Sequence, residues 1–224
     1  GCRSGAGRWP VGARPCARRV PVGTGRGRCG WHDGRVVDLT QDVRRLFVVG
    51  DELVAGFGDP RALGWVGRVV ARSSPQNLLT FTLPVAGETT TALSARWEGE
   101  VARRRGSAEG ALVIAPGAHD LVVGTSMARS RLNLANVLDK ADALHLPAFV
   151  VGPPPRTDLP GEAQAALSAA FADVCLRRRV PYVETYQPLA NHEQWLADLA
   201  STDGVHPAQA GHGLLAWLVL HHDW

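Results

Sequence analysis

The sequence predicts a single α/β domain, a three-layer α/β/α sandwich built on a mostly parallel five-stranded sheet. Two observations lead to this fold: short, almost uninterrupted apolar runs recur along the chain, and longer segments with helical periodicity separate them. Continuous apolar runs are typical of parallel strands that are covered on both faces, and their alternation with helices favours a doubly wound sheet. The chain has 224 residues, 45% of them apolar, which is enough to bury a core of that size.

Each element is predicted from its own pattern. The candidate strands are the five apolar runs, at residues 46–49, 78–83, 111–115, 148–152 and 180–183. The candidate helices are five segments with helical periodicity, at residues 62–72, 89–105, 127–146, 161–179 and 208–220. In doubly wound sheets, sites lie at the carboxyl ends of the strands, so the residues that follow each strand are the candidates for function.

Residues 1–40 differ in composition from the rest and are predicted to form a disordered or loosely packed tail, which leaves residues 41–224 as the domain. The tail is rich in Gly, Arg and Pro and shows no sustained periodicity. Its first 35 residues hold eight arginines and one acid, a charge of +7, whereas the whole chain carries +3. Since Lys140 is the only lysine among 24 basic residues, we attribute this charge to codon bias and do not expect nucleic-acid contact.

The sequence also indicates where the protein is found. No run approaches the roughly 18 apolar residues of a membrane span, and no N-terminal segment resembles a secretory signal. Three of the four cysteines lie in the tail at spacings that match no zinc motif, and Cys175 lies in a helical pattern. We therefore expect a cytoplasmic protein without a cofactor or a bound metal. The sequence does not indicate the oligomeric state.

Four short blocks carry the candidate chemistry. They read Gly-Asp-Glu-Leu at 50–53, Pro-Val-Ala-Gly-Glu-Thr-Thr at 84–90, Gly-Ala-His-Asp at 117–120 and Asp-Gly-Val-His-Pro at 203–207. The first three follow predicted strands and the fourth precedes the last predicted helix. All four are therefore expected at the carboxyl edge of the sheet.

In their order and spacing these blocks resemble the signature of the SGNH (GDSL) hydrolases, which are esterases and acylhydrolases with a serine nucleophile. The resemblance covers about residues 44–220 and implies a flavodoxin-like sheet and hydrolysis of an ester or acyl bond in a small substrate. It implies that His206 is the base and that Asp203 orients it. It also implies that Gly87 and His119 occupy the oxyanion-hole positions.

The chain departs from that signature at two positions. Glu52 stands where the family has the serine nucleophile, and His119 stands where it has an asparagine. An anion at position 52 would repel an oxyanion that forms beside it, and it would hold His206 as the imidazolium, which is a poor base. Both effects argue against ordinary serine-type hydrolysis.

Three roles for Glu52 stay open. In the first, catalysis has been lost and the protein is a pseudoenzyme that binds a ligand. In the second, the carboxylate attacks a carbon centre or activates water, as carboxylates do beside a His–acid pair in other folds. In the third, Glu52, His119 and His206 form a two-His, one-carboxylate metal site, which requires both imidazoles to converge on the carboxylate.

Other residues near the blocks have mainly structural interpretations. Asp51 and Asp120 are expected to support their loops. Glu88 could place a second carboxylate in the cleft, although a position at the start of a helix explains it as well. Ser126 is expected to cap a helix, and His212 to be a surface or packing residue. The sequence therefore predicts an SGNH-type hydrolase, with a non-catalytic SGNH-fold binding protein as the alternative.

Overall fold

The structure, a computed structural model, describes residues 43–73, 77–106 and 109–222. The predicted tail, residues 1–40, lies outside these ranges, so its state and its boundary with the domain stay predictions. Cys175 lies inside them and is fully buried, as expected of a small core residue. No helix within the described ranges is long and apolar enough to cross a membrane.

Five strands form one parallel sheet in the order β2-β1-β3-β4-β5. They are β1 (Arg44–Gly50), β2 (Leu78–Pro84), β3 (Gly110–Ala115), β4 (Ala148–Val151) and β5 (Tyr182–Val183). The predicted fifth strand, residues 180–183, is twice as long as β5, which has 2 residues. Val180 donates its N–H to Cys175 at the end of a helix, and Pro181 has no N–H to donate to the sheet.

Helices connect the strands and cover both faces of the sheet. Among the described residues they are α1 (Gly64–Ser73), α2 (Thr90–Arg105), α3 (His119–Val122), α4 (Met127–Ala143), α5 (Gly161–Arg178), α6 (Tyr186–Leu189), α7 (Glu193–Ala200) and α8 (Gln209–Leu220). The five predicted helices are present to within a few residues. Ser126 caps α4, as expected, because its Oγ accepts the Arg129 N–H. The sequence did not predict α3, α6 and α7, which are too short for periodicity to reveal.

The strands bury side chains on both faces, which explains their uninterrupted apolar sequences. On β1, Phe47 packs in the same cluster as Trp97 of α2, whereas its neighbour Val48 packs on the opposite face with Trp195 of α7. The first cluster lies between the sheet and α2, α4 and α5, and the second lies between the sheet and α1, α7 and α8. The predicted three-layer α/β/α sandwich is therefore confirmed.

The strand order brings the sequence blocks together. Because β1 lies between β2 and β3, Gly50 at its end pairs with Pro84 on one side and with Ala115 on the other. The first three blocks therefore leave the sheet side by side. The fourth is fastened to the loop after β4, where the N–H and Oγ1 of Thr157 both donate to the Gly204 carbonyl, at 2.9 and 2.8 Å.

Candidate active site

Glu52 is presented by a sharp turn at the end of β1. It is the first residue of a 3₁₀ turn, Glu52–Ala55, which begins two residues after the strand ends. The turn requires a glycine at position 50, because a Cβ there would collide with the backbone of β3. Asp51 caps the turn, since its Oδ1 accepts the Leu53 N–H at 3.0 Å. The strand and glycine-marked turn that the sequence predicted are both present.

Both oxygens of the Glu52 carboxylate accept hydrogen bonds. The Gly87 N–H donates to Oε2 at 2.7 Å, and His206 Nε2 lies 3.0 Å from Oε1. The Glu52 side chain is 16% exposed. One carboxylate is therefore in contact with the N–H at an expected oxyanion-hole position and with the ring of the expected base.

His206 lies between two carboxylates. Its Nδ1 is 2.6 Å from Asp203 Oδ2, and its Nε2 faces Glu52. The backbone fixes Asp203 in turn, because its Oδ1 accepts the N–H groups of Val205 and His206 at 2.9 and 2.8 Å. The three side chains thus form a continuous hydrogen-bonded series, Glu52–His206–Asp203.

The same contacts determine which of these groups are charged. Burial alone would raise the pKa of Glu52, but hydrogen bonds from the Gly87 and Glu52 backbone and from His206 together lower it. Burial would lower the pKa of His206, yet the bonds to Asp203 and Glu52 raise it above its ordinary value. The His206 side chain and N–H hold the pKa of Asp203 far below its usual range. These shifts favour an imidazolium between two carboxylates.

Gly87 and His119, the two expected oxyanion-hole positions, lie beside each other. Gly87 has a φ of 64°, in the left-handed region that favours glycine. A Cβ at Gly87 would lie 3.2 Å from both Cε1 and Nε2 of His119, the first residue of α3. The imidazole of His119 therefore packs beside Gly87, whose N–H binds Glu52.

Asp51 is a neighbour of Glu52 in sequence but lies inside the protein. Its carboxylate packs so closely on Gly117 that a Cβ there would collide with Oδ2. Burial, and then the charge of Glu52, raises the pKa of Asp51 to about 7, although the Leu53 N–H and Arg156 favour its anion. Asp51 therefore lies in the interior and caps the turn.

Asp120 braces a neighbouring helix. It is buried, and its Oδ1 and Oδ2 accept hydrogen bonds from the N–H and Oγ1 of Thr90, at 2.9 and 2.6 Å. Asn133 Nδ2 adds a bond to Thr90 Oγ1 at 3.0 Å. This network fixes the start of α2 and, with it, the loop that carries Gly87. The support that Asp120 gives is thus directed at α2 rather than confined to its own loop.

Two possibilities raised by the sequence find no support. Glu88 is buried and forms an ion pair with Arg96, so it does not add a second carboxylate to the cleft. Within the part of the chain that the structure describes, no group of three His, Cys, Asp or Glu side chains could hold a metal ion. This finding argues against the two-His, one-carboxylate hypothesis for Glu52, His119 and His206.

Phe57 lies against His206, a contact that the sequence did not predict. Its ring centroid is 4.7 Å from that of His206, with the planes at 74°. His212 of α8, fully buried, holds the Phe57 backbone, because its Nε2 lies 2.9 Å from the carbonyl oxygen. His212 was expected at the surface or in packing, and the structure assigns it to packing. No local pattern marks this pair of residues, which are 155 positions apart.

Solved structures share the fold. A lipase/acylhydrolase from Enterococcus faecalis is similar with a TM-score of 0.67 and 22% identity, over 80% of this chain and 94% of that chain. TesA is similar with a TM-score of 0.66 and 23% identity, over 79% and 96%. The psychrotrophic esterase EstA from Pseudoalteromonas sp. gives 0.64 and 17%, over 80% and 95%. At these identities the likeness establishes the fold alone.

The family assignment comes from the sequence of the chain. The family model described as GDSL-like lipase/acylhydrolase matches residues 48–214, which include all four blocks. The search of curated proteins found no match. The matched range is most of the chain and nearly all of the described domain. The chain therefore belongs to the GDSL-like lipase/acylhydrolase family.

Proposed function

We propose that this chain is an SGNH-type hydrolase of a small ester or acyl-class compound, with Glu52 acting in place of the serine nucleophile. Family membership supports hydrolysis of the ester type. One observation carries the finer proposal: Glu52 Oε1 lies 3.0 Å from His206 Nε2 while Oε2 accepts the Gly87 N–H at 2.7 Å. The carboxylate is thus next to both groups that a nucleophile at this position needs.

Each residue has a definite role in this mechanism. Glu52 attacks the acyl carbon to form an anhydride, the bond from that carbon to the alcohol oxygen breaks, and the departing alkoxide takes the proton of His206. His206 then takes a proton from water, whose oxygen adds to the acyl carbon and breaks the bond to Glu52, so that the acid product leaves and the carboxylate returns. Asp203, 2.6 Å from Nδ1, orients the imidazole and stabilises the imidazolium. The Gly87 N–H stabilises negative charge that develops on an oxygen during the reaction. No cofactor takes part in the proposed chemistry.

Exposed apolar side chains on the segments that carry Glu52, Gly87 and His119 support a substrate with a hydrocarbon portion. Phe57, against His206, is 57% exposed. Val85, two residues before Gly87, is 39% exposed, and Val122, in the same short helix as His119, is 48% exposed. Binding sites typically combine such apolar surface with a few polar groups that orient the ligand.

A second candidate is a catalytically silent SGNH-fold binding protein. It is favoured because both Glu52 oxygens already accept hydrogen bonds. The lowered pKa of Glu52 makes its carboxylate a weak base, and the raised pKa of His206 makes the imidazole a poor one at neutral pH. In this case the cleft binds its ligand beside a resting ion pair.

Hydrolysis of a short-chain nitrophenyl ester by the wild type, Glu52→Ser and His206→Ala separates the two candidates. For the hydrolase we expect wild-type activity that falls by about a hundredfold or more in His206→Ala. For the silent protein we expect no wild-type activity and a gain in Glu52→Ser. Glu52→Gln is the matched control, because it keeps the side-chain shape and removes the charge. A wild type and a Glu52→Ser variant that are both inactive would contradict hydrolysis at a carbonyl carbon.

A further inference from the structure

We infer that Glu52 attacks a saturated carbon that carries an anionic leaving group, such as a halide or sulfonate, rather than a carbonyl carbon. The inference rests on one part of the proposed function, the role of Glu52 as the nucleophile, and it replaces the ester or acyl substrate with an alkyl compound. It follows from the different partners of the two Glu52 oxygens. Oε2 is held by the Gly87 N–H, and Oε1 faces His206.

Attack on a carbonyl carbon needs a free donor for the oxyanion of the substrate. The Gly87 N–H stands at such a position, but Glu52 Oε2 already occupies it at 2.7 Å. His119, at the other expected position, lies against Gly87. An acyl substrate would have to displace Glu52 from Gly87, and its oxyanion would then form beside a second negative charge. The resting site therefore disfavours carbonyl attack.

Displacement at a saturated carbon makes no oxyanion in its first step. Glu52 Oε1 forms the new bond to carbon, and the bond from carbon to the leaving group breaks, with the electron pair departing on the leaving anion. The result is an alkyl ester of Glu52. The carbonyl oxygen of that ester is Oε2, which is already positioned on the Gly87 N–H.

The second step uses the oxyanion donor for the enzyme's own ester. His206 removes a proton from water, the oxygen adds to Glu52 Cδ, and negative charge moves to Oε2 on the Gly87 N–H. The bond between Cδ and the alkyl oxygen then breaks, and His206 returns its proton to the departing alkoxide. The products are an alcohol and, after loss of a proton to solvent, the original carboxylate with one oxygen from water.

Formation of the ester also turns the resting histidine into a working base. The anion of Glu52 is one of the causes that raise the pKa of His206. The alkyl ester is neutral, so the pKa of His206 falls when it forms, and the imidazole becomes available to deprotonate water. Asp203 keeps its contact with Nδ1 and holds the ring in place throughout.

Trapping with n-hexyl bromide in His206→Gln tests the inference, because this variant can form the ester but lacks the base that hydrolyses it. We expect the intact mass to rise by one hexyl group in place of a proton, with the adduct on the peptide that contains Glu52. Hydroxylamine should remove it. The double variant Glu52→Gln/His206→Gln is the matched control and should form no adduct. Circular dichroism establishes that both variants are folded.

A parallel incubation with nitrophenyl hexanoate distinguishes the two possible failures. An acyl adduct or turnover with this ester, and no adduct with n-hexyl bromide, would overturn the saturated-carbon inference and leave the proposed hydrolase function standing. No adduct from either probe, in folded protein, would overturn both. If His206→Gln does not fold, a single turnover of wild type with the bromide in heavy-oxygen water decides the matter. Label in Glu52 supports the inference, and label in the hexanol contradicts it.

Discussion

Asp51 and Glu52 are adjacent carboxylates, yet they lie in two regions of the molecule with opposite properties. The turn after β1 sends Asp51 into the interior against Gly117, and it places Glu52 beside Gly87 and His206. Burial raises the pKa of Asp51 to about 7. Burial also acts on Glu52, but hydrogen bonds from its neighbours outweigh it and lower the pKa.

The two carboxylates differ both in burial and in the number of hydrogen-bond donors. Asp51 accepts one backbone N–H, which does not offset the loss of water. Glu52 accepts a backbone N–H and contacts an imidazole whose own pKa is raised. The interior therefore favours the neutral acid, and the cleft favours the anion. Only the second is suited to attack or to ion pairing.

The largest loss of stability is expected from adding a methyl group beside Asp51. Gly117→Ala forces a methyl group against the Asp51 carboxylate, so we expect it to lower the free energy of unfolding by roughly 2–4 kcal/mol. Urea denaturation measures it. Gly99→Ala is the matched control, since Gly99 is exposed within α2 and a Cβ there meets nothing within 4 Å. The free energy of unfolding of the control should rise by up to about 1 kcal/mol. Equal stability of the Gly117 variant and the wild type would contradict the close packing.

Asp51→Asn tests the raised pKa directly. The pKa of Asp51 is higher in the folded state, so its contribution to stability is complete below the unfolded value of 3.8 and is lost as the pH rises through about 7. Asparagine keeps the acceptor for Leu53 and does not titrate. Between pH 4 and pH 8 we expect the free energy of unfolding of the variant to rise by roughly 2–4 kcal/mol relative to that of the wild type. Denaturation at several pH values measures this, and a constant difference would contradict the interior position of the charge.

Glu52→Gln should give the smallest change. The lowered pKa of Glu52 gives stability that is lost as the pH falls, and the raised pKa of His206 gives stability that is lost as the pH rises. The pair therefore stabilises only between its two pKa values, and we expect the variant to lose no more than about 1 kcal/mol there. At high pH the loss should disappear. A loss that persists at pH 9 would show that the Glu52–His206 charge interaction is not its source.

The fold could be predicted because its signals are local. Continuous apolar runs predicted β1 and its neighbours, and the alternation with helices predicted the layers. Two features of the fold could not be predicted. The eight residues of α7 are too few for a periodic pattern, and β5 is shortened because Val180 bonds to the end of α5. Both depend on contacts that form only when the chain is packed.

The site could be predicted in part for a similar reason. Its blocks follow strand ends, so strand order alone brings Glu52, Gly87 and His119 to one edge. The opposite environments of Asp51 and Glu52 could not be predicted, because they depend on which side of a turn each side chain takes. The contact of Phe57 with His206 depends on His212 in the last helix, which no pattern near Phe57 reveals.

The most direct test of the account is an NMR titration of the carboxyl carbons in the wild type, Asp51→Asn and Glu52→Gln. We expect one carboxyl group of the wild type to titrate near pH 7, and this transition to disappear in Asp51→Asn. It should remain in Glu52→Gln, shifted downward because the Glu52 charge is one of its causes. A transition near pH 7 that disappears in Glu52→Gln and remains in Asp51→Asn would contradict the assignment of the neutral acid to the interior and the anion to the cleft.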